Sequence, residues 1–186
     1  MIRACLAATF LVAALLTGCS SAADSPDESA AALPGPVPDD VSFRTPPKTA
    51  PPAPAFDLTL LGGDTLSVAD QWADRPMVLI FFESWCEICK EEQPAINDLV
   101  EKYQDVVLFL GIAGMSSEDD VRQYVEDNNV AYPVGTDASG KIWLRYAAEE
   151  PPLIALISKG GQLLRGWPGG LSADTLQNQI DELAVS

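Results

Sequence analysis

The 186-residue sequence contains no histidine. That absence removes a Ser-His-Asp triad and a histidine-ligated haem from the chemistry open to this chain. Cysteine is scarce as well: the residues are Cys5, Cys19, Cys86 and Cys89, and the first two lie within the first 19 residues. Two soft ligands without histidine are too few for a four-ligand zinc site within one chain. Positive charge is short too, with 11 Lys and Arg against 27 Asp and Glu and a formal net charge of −16. A surface of that sign repels phosphate backbones, so nucleic acid is not an expected partner; it suits solubility in an exposed compartment. Nor is there a hydrophobic run long enough for a comfortable membrane span: Ala4–Leu16 is a short one.

What is present is concentrated in Phe81–Pro94, Phe-Phe-Glu-Ser-Trp-Cys-Glu-Ile-Cys-Lys-Glu-Glu-Gln-Pro. The apolar run Met77–Phe82 reads as a buried strand and stops at Trp85-Cys86, where a helix-like segment begins. Cys86 is thus expected at a helix start, where unpaired N–H groups and the positive end of the helix dipole favour a thiolate and lower its pKa. Cys89, one turn later, is placed to close a ring with it and expel a bound partner. A Cys-X-X-Cys pair in this setting reads as redox chemistry, with an inert structural disulfide as the competing reading.

Residues 1–18 read as an export signal. Arg3 precedes the apolar stretch, and Leu16-Thr17-Gly18-Cys19 follows it. This resembles a bacterial lipoprotein signal, which implies cleavage after Gly18, lipidation of Cys19 and anchoring in a membrane. Residues 19–54 are rich in Ala, Pro, Ser and Asp, with pairs at Pro46-Pro47 and Pro51-Pro52. Such a segment buries too little to offset its ordering entropy, so a disordered, semi-stiff tether is expected.

Residues 55–186 form the domain. Phe56–Leu60, the turn at Gly62-Gly63 and Thr65–Ser67 predict a hairpin. Further strands are expected at Met77–Phe82, Val106–Ile112 and Leu153–Ser158, with a short extended piece at Val130–Val134. Helices are expected at Val68–Trp72, Glu87–Tyr103, Ser117–Asn128, Lys141–Tyr146 and Leu171–Leu183. Pro94 is expected to kink the longest of them. Gly160-Gly161 turns the chain for a terminal hairpin ending at Gln162–Gly166. Strands alternating with helices indicate an α/β fold with a mixed sheet.

These motifs resemble the thioredoxin-like fold, and more narrowly the membrane-tethered extracytoplasmic thiol–disulfide oxidoreductases of the TlpA/ResA type. The likeness covers roughly residues 53–186. It rests on the opening hairpin, on Trp85–Pro94, on Tyr132-Pro133-Val134 with Asp137–Gly140, and on Pro152–Ser158 with Gly160-Gly161. It implies a mixed central sheet flanked by helices, with an N-terminal β-hairpin. It also implies that Cys86 is the nucleophile and Cys89 the resolving cysteine, together a redox-active disulfide. Pro152 maps to a cis proline facing the cysteines, and Glu92 to a carboxylate positioned as general base for Cys89. Trp85 is expected to pack beside the disulfide. Pro151 and Trp85 are expected to touch the client, though Pro151, lacking an N–H, offers only its carbonyl. No cofactor is implied. The partners are thiols and disulfides of exported proteins and a membrane electron donor or acceptor.

Ile88 stands where proline is common in the family, and Glu83 where a small or polar residue is usual. Both leave the direction of electron flow open. The Cys-Glu-X-Cys pattern with Glu92 leans toward a reductant, with cytochrome c maturation as one outlet. Three alternatives stand beside it: a disulfide-forming oxidant, a redox-inert binding lipoprotein, and a peroxidase, which the Cys-X-X-Cys pair disfavours.

Overall fold

The computed structural model describes residues 31–186; the export signal and Cys19 lie outside the described residues. A hairpin of β1 (Asp57–Thr59) and β2 (Thr65–Ser67) pairs antiparallel, with Leu58 opposite Leu66. It leads through α1 (Val68–Gln71) into β3 (Met77–Phe82). β3 is the central strand of a five-stranded sheet ordered β5-β4-β3-β6-β7, where β4 is Leu108–Ala113, β5 Val134–Thr136, β6 Leu153–Ile157 and β7 Leu163–Pro168. β3, β4 and β5 run parallel, while β6 and β7 are antiparallel. The helices are α2 (Glu87–Lys102), α3 (Glu118–Asp127), α4 (Lys141–Arg145) and α5 (Ala173–Leu183). This is the thioredoxin-like arrangement, a mixed sheet with helices on both faces and an extra two-stranded sheet.

The apolar runs read as strands because β3, β4 and β6 are buried on both faces. Alternate residues divide between two cores. Val78, Ile80 and Phe82 face α2, α3 and α5, while Met77, Leu79 and Phe81 face α1 and α4. Each such side chain contributes about 1.5–3 kcal/mol when fully buried. β4 begins two residues later than its apolar run, at Leu108, because the Leu108 N–H meets the Pro76 carbonyl at 3.0 Å and sets the parallel register. β5 likewise starts only at Val134, where pairing with Gly111 begins. α2 continues through Pro94 to Lys102.

The tether expectation changes from residue 33 onward. This part of the chain is a strap laid along the domain, held by its backbone. The Arg75 guanidinium, nearly buried, donates to the Gly35 carbonyl at 2.7 Å and to the Asp105 carbonyl at 3.0 Å; the Gly35 N–H returns to the Asp105 carboxylate. Further along, Phe43 forms a bridge with Val185, Arg44 N–H donates to the Ala184 carbonyl at 3.0 Å, and Pro52 bridges Gln162. Composition suggested disorder because few large apolar side chains are present. The strap is fixed instead by main-chain hydrogen bonds, which composition does not register. It passes the N-terminal end of β3, the pole opposite the cysteines. Arg75→Ala removes both charge-assisted bonds and is expected to lower stability by about 2–3 kcal/mol, read as a lower urea midpoint with an unchanged slope.

Candidate active site

β3 delivers the chain to the site and α2 receives it. After Phe82 the backbone turns, with the Cys86 N–H donating to the Glu83 carbonyl at 3.0 Å. Cys86 is the N-cap of α2, and its sulfur accepts from the Cys89 N–H at 3.2 Å. A sulfur here meets one of the helix's unpaired donors and its positive end. Cys86 and Cys89 form a disulfide, with their Cα atoms 5.3 Å apart. Only 5 % of Cys86 and 8 % of Cys89 is exposed, yet the pair lies just under the surface, between Trp85 at 62 % and Ile88 at 56 %. Trp85 is thus a rim residue of the site and not a core residue. Glu87, the acid in the first turn of α2, is paired with Lys90 at 2.8 Å, which offsets its charge.

The Pro151–Pro152 bond is cis. Pro152 lines a cavity of about 220 Å³ that also meets Cys89, Glu92, Gln93, Tyr132 and Gly170. The residues singled out in the sequence are therefore brought together: Cys86 and Cys89 by their bond, and Cys89, Glu92 and Pro152 around one cavity. Glu92 is half-buried and sits one helical turn beyond Cys89.

Gln93 and Asn97 did not stand out in the sequence, and a third residue, Glu83, stood out only as a departure from the family pattern. Gln93, almost wholly buried, accepts from the Tyr132 hydroxyl at 2.9 Å and donates to Asn97 at 2.9 Å; Asn97 then donates to the Asn129 carbonyl at 2.9 Å. This chain ties α2 to the segment after α3 and forms one wall of the cavity. Burial raises the Tyr132 phenol well above its ordinary pKa, followed by the influence of Tyr124, so it remains a donor throughout the physiological range. The third is Glu83, 2 % exposed, whose carboxylate accepts from the Met115 N–H at 2.7 Å and the Ser116 N–H at 2.9 Å. The sequence marked Glu83 as a departure from the family pattern but did not show its burial or its partners.

Among the described residues no cluster of three or more His, Cys, Asp or Glu could hold a metal ion, and no helix is long and apolar enough to cross a membrane.

A disulfide at a helix N-terminus, at the end of a central strand and facing a cis proline on this fold, defines a thioredoxin-fold thiol–disulfide oxidoreductase. Residues 50–165 match the model of the AhpC/TSA family, and the chain belongs to that family. It is similar to the thiol-disulfide oxidoreductase ResA of Bacillus thuringiensis, 26 % identical over 132 residues that span 70 % of this chain and 76 % of ResA. Among solved structures it resembles a secreted Mycobacterium tuberculosis disulfide oxidoreductase homologous to Escherichia coli DsbE. There the TM-score is 0.63 and the identity 26 %, over 69 % of this chain and 96 % of that one. The pneumococcal exposed lipoprotein thioredoxin from Streptococcus pneumoniae gives the same TM-score, 0.63, and 26 % identity, over 70 % and 100 % of the two chains. Within this group the chain is of the TlpA/ResA type.

Tyr132→Phe leaves the buried Gln93 carbonyl without its donor. It is expected to cost about 1–3 kcal/mol, measured by urea unfolding of the oxidised protein.

Proposed function

We propose that the protein is a lipid-anchored, extracytoplasmic thiol–disulfide oxidoreductase that reduces disulfides of exported proteins. The observation that carries this reading is the Cys86 sulfur capping α2, bonded to Cys89 beside Pro152 and Glu92. In the reduced protein the Cys86 thiolate attacks one sulfur of a client disulfide. A mixed disulfide forms, and the client's other sulfur leaves as a thiolate. Glu92 takes the proton from the Cys89 thiol, whose sulfur then attacks Cys86. The Cys86–Cys89 bond forms, the client leaves as a dithiol, and two electrons have passed to it. A membrane dithiol donor restores the pair. Trp85 and the Pro151 carbonyl border the approach of the client, and Pro152 bounds the cavity on the far side.

Anchoring rests on the Leu-Thr-Gly-Cys motif, with Cys19 as the lipidated residue, and is supported by the exposed-lipoprotein character of one structural relative. Apocytochromes c held for haem attachment are clients that need such a reductant. The opposite direction, disulfide formation, has support in the likeness to a disulfide oxidoreductase homologous to DsbE.

The reduction potential of the soluble domain separates the two directions. A reductant is expected near the thioredoxin value of about −270 mV, and a value near about −120 mV overturns that direction. Cys89→Ser is expected to trap client mixed disulfides on Cys86, visible as thiol-sensitive adducts. Glu92→Gln is expected to slow resolution of the mixed disulfide by about 10²-fold at neutral pH while leaving the first attack unaltered. Equal slowing of both steps removes the general-base role.

A further inference from the structure

We propose that Glu83 is a positioning residue. It latches the Gly114–Ser116 loop to the active-site turn, so that Met115 and Trp85 form a docking rim for client segments whose cysteine is flanked by one apolar and one basic residue. The proposal rests on the oxidoreductase reading and adds a basis for client choice.

A buried carboxylate is costly unless its oxygens are satisfied. All three donors to Glu83 come from one loop, between β4 and α3. They are the Met115 N–H at 2.7 Å, the Ser116 N–H at 2.9 Å and the Ser116 hydroxyl at 2.5 Å. Two are consecutive main-chain amides, so what Glu83 holds is the course of the loop backbone. The Ser116 hydroxyl oxygen in turn accepts from the Ser84 N–H at 2.9 Å and the Ser84 hydroxyl at 3.0 Å. The latch therefore closes on the turn whose next residues are Trp85 and Cys86. Gly114 belongs to the same device: a Cβ there would overlap the Glu83 carboxylate and come within 2.8 Å of the Trp143 ring.

The latch leaves Met115, 85 % exposed, on a loop tied through Ser116 to Ser84, the residue before Trp85. Trp85 and Met115 are both large apolar residues exposed to water. The loop runs through Ser117 into Glu118, Asp119 and Asp120, the first turn of α3, where Glu118 is paired with Arg122 at 2.8 Å and Asp120 accepts from the Ser117 hydroxyl, so Asp119 and the net charge of −16 carry the negative field. Apolar surface bordered by acids complements an apolar residue beside a lysine or arginine.

The test uses the purified soluble domain with dithiothreitol as final reductant. One substrate is a peptide with Leu and Lys beside its single cysteine, presented as a mixed disulfide with 2-mercaptoethanol. A second replaces that Lys with Glu. The third is bis(2-hydroxyethyl) disulfide, too small to reach the rim. Met115→Ser and Glu83→Gln are each expected to raise KM for the Leu-Lys peptide about fivefold, as for loss of one partly buried apolar contact. The ratio of peptide to small-disulfide turnover falls accordingly. Gln at 83 keeps one acceptor but sets an NH2 against the Ser116 N–H, which releases the loop. The double variant is expected to be no worse than Met115→Ser, because Glu83 acts through Met115. Met115→Leu is expected to keep the peptide KM. The Glu peptide is expected to bind more weakly than the Lys peptide at low salt, with the difference fading at high salt.

Four results overturn the proposal: an unchanged peptide KM in Met115→Ser, multiplicative losses in the double variant, equal use of the Lys and Glu peptides at low salt, or slowing of the small disulfide by Glu83→Gln to the same extent as the peptide. A wild-type domain inert toward all three substrates overturns the oxidoreductase reading and this proposal with it. Normal turnover of the small disulfide without peptide selectivity sinks the rim alone.

Discussion

The contact on which the site depends is the 3.2 Å hydrogen bond from the Cys89 N–H to the Cys86 sulfur. It exists only because α2 begins at the residue after Cys86, and α2 begins there because β3 has just ended. A sulfur in the capping position takes a donor that a serine or aspartate hydroxyl or carboxylate oxygen would otherwise take. A thiolate released in the same position would gain more from that donor, because the acceptor would then carry charge. The same geometry brings Cys89 back under Cys86 after one helical turn. Chemistry and capping are thus one arrangement, and the fold's task is to keep the strand-to-helix junction from moving.

Several features serve that end. β3 is central, with pairing on both sides and a core on each face, so its last residues have little freedom. On one face, the Tyr132–Gln93–Asn97 chain fixes the second turn of α2 with hydrogen bonds instead of apolar contact alone. On the other, Glu83 binds the neighbouring loop. The strap and the Arg75 contacts occupy the opposite pole, where they close the N-terminal ends of the strands without approaching the disulfide. Rigid polar ties close to the sulfurs and a backbone tie at the far end leave the rim residues Trp85, Ile88 and Met115 as the exposed apolar surface around the site.

Much of this was legible in the sequence, for physical reasons that differ from residue to residue. The central strands appear as unbroken apolar runs because both of their faces are buried. Cys86 and Cys89 stand out because thiols are rare here and their spacing is one helical turn. Pro152 stands out through its place before the β6 run, and Glu92 through its helical offset from Cys89. The strap was not legible, because its own backbone makes the contacts and its partners, the Arg75 and Asp105 side chains and backbone groups at residues 161, 184 and 185, lie far along the chain. The burial and partners of Glu83 and Gln93 were not legible either. A buried polar side chain is tolerated only if donors or acceptors meet it, and those of Glu83 lie some thirty positions away, at Met115 and Ser116. Nothing local distinguishes such a residue from a solvated one.

Glu83 and Glu92 sit in different environments of one site. Glu83 is sealed and its carboxylate accepts three hydrogen bonds, two of them from consecutive backbone amides. Glu92 is half-buried on the wall of the cavity that reaches Cys89. In the proposed readings Glu83 keeps the neighbouring loop in place while a client approaches, and Glu92 takes up the proton that Cys89 sheds before it attacks.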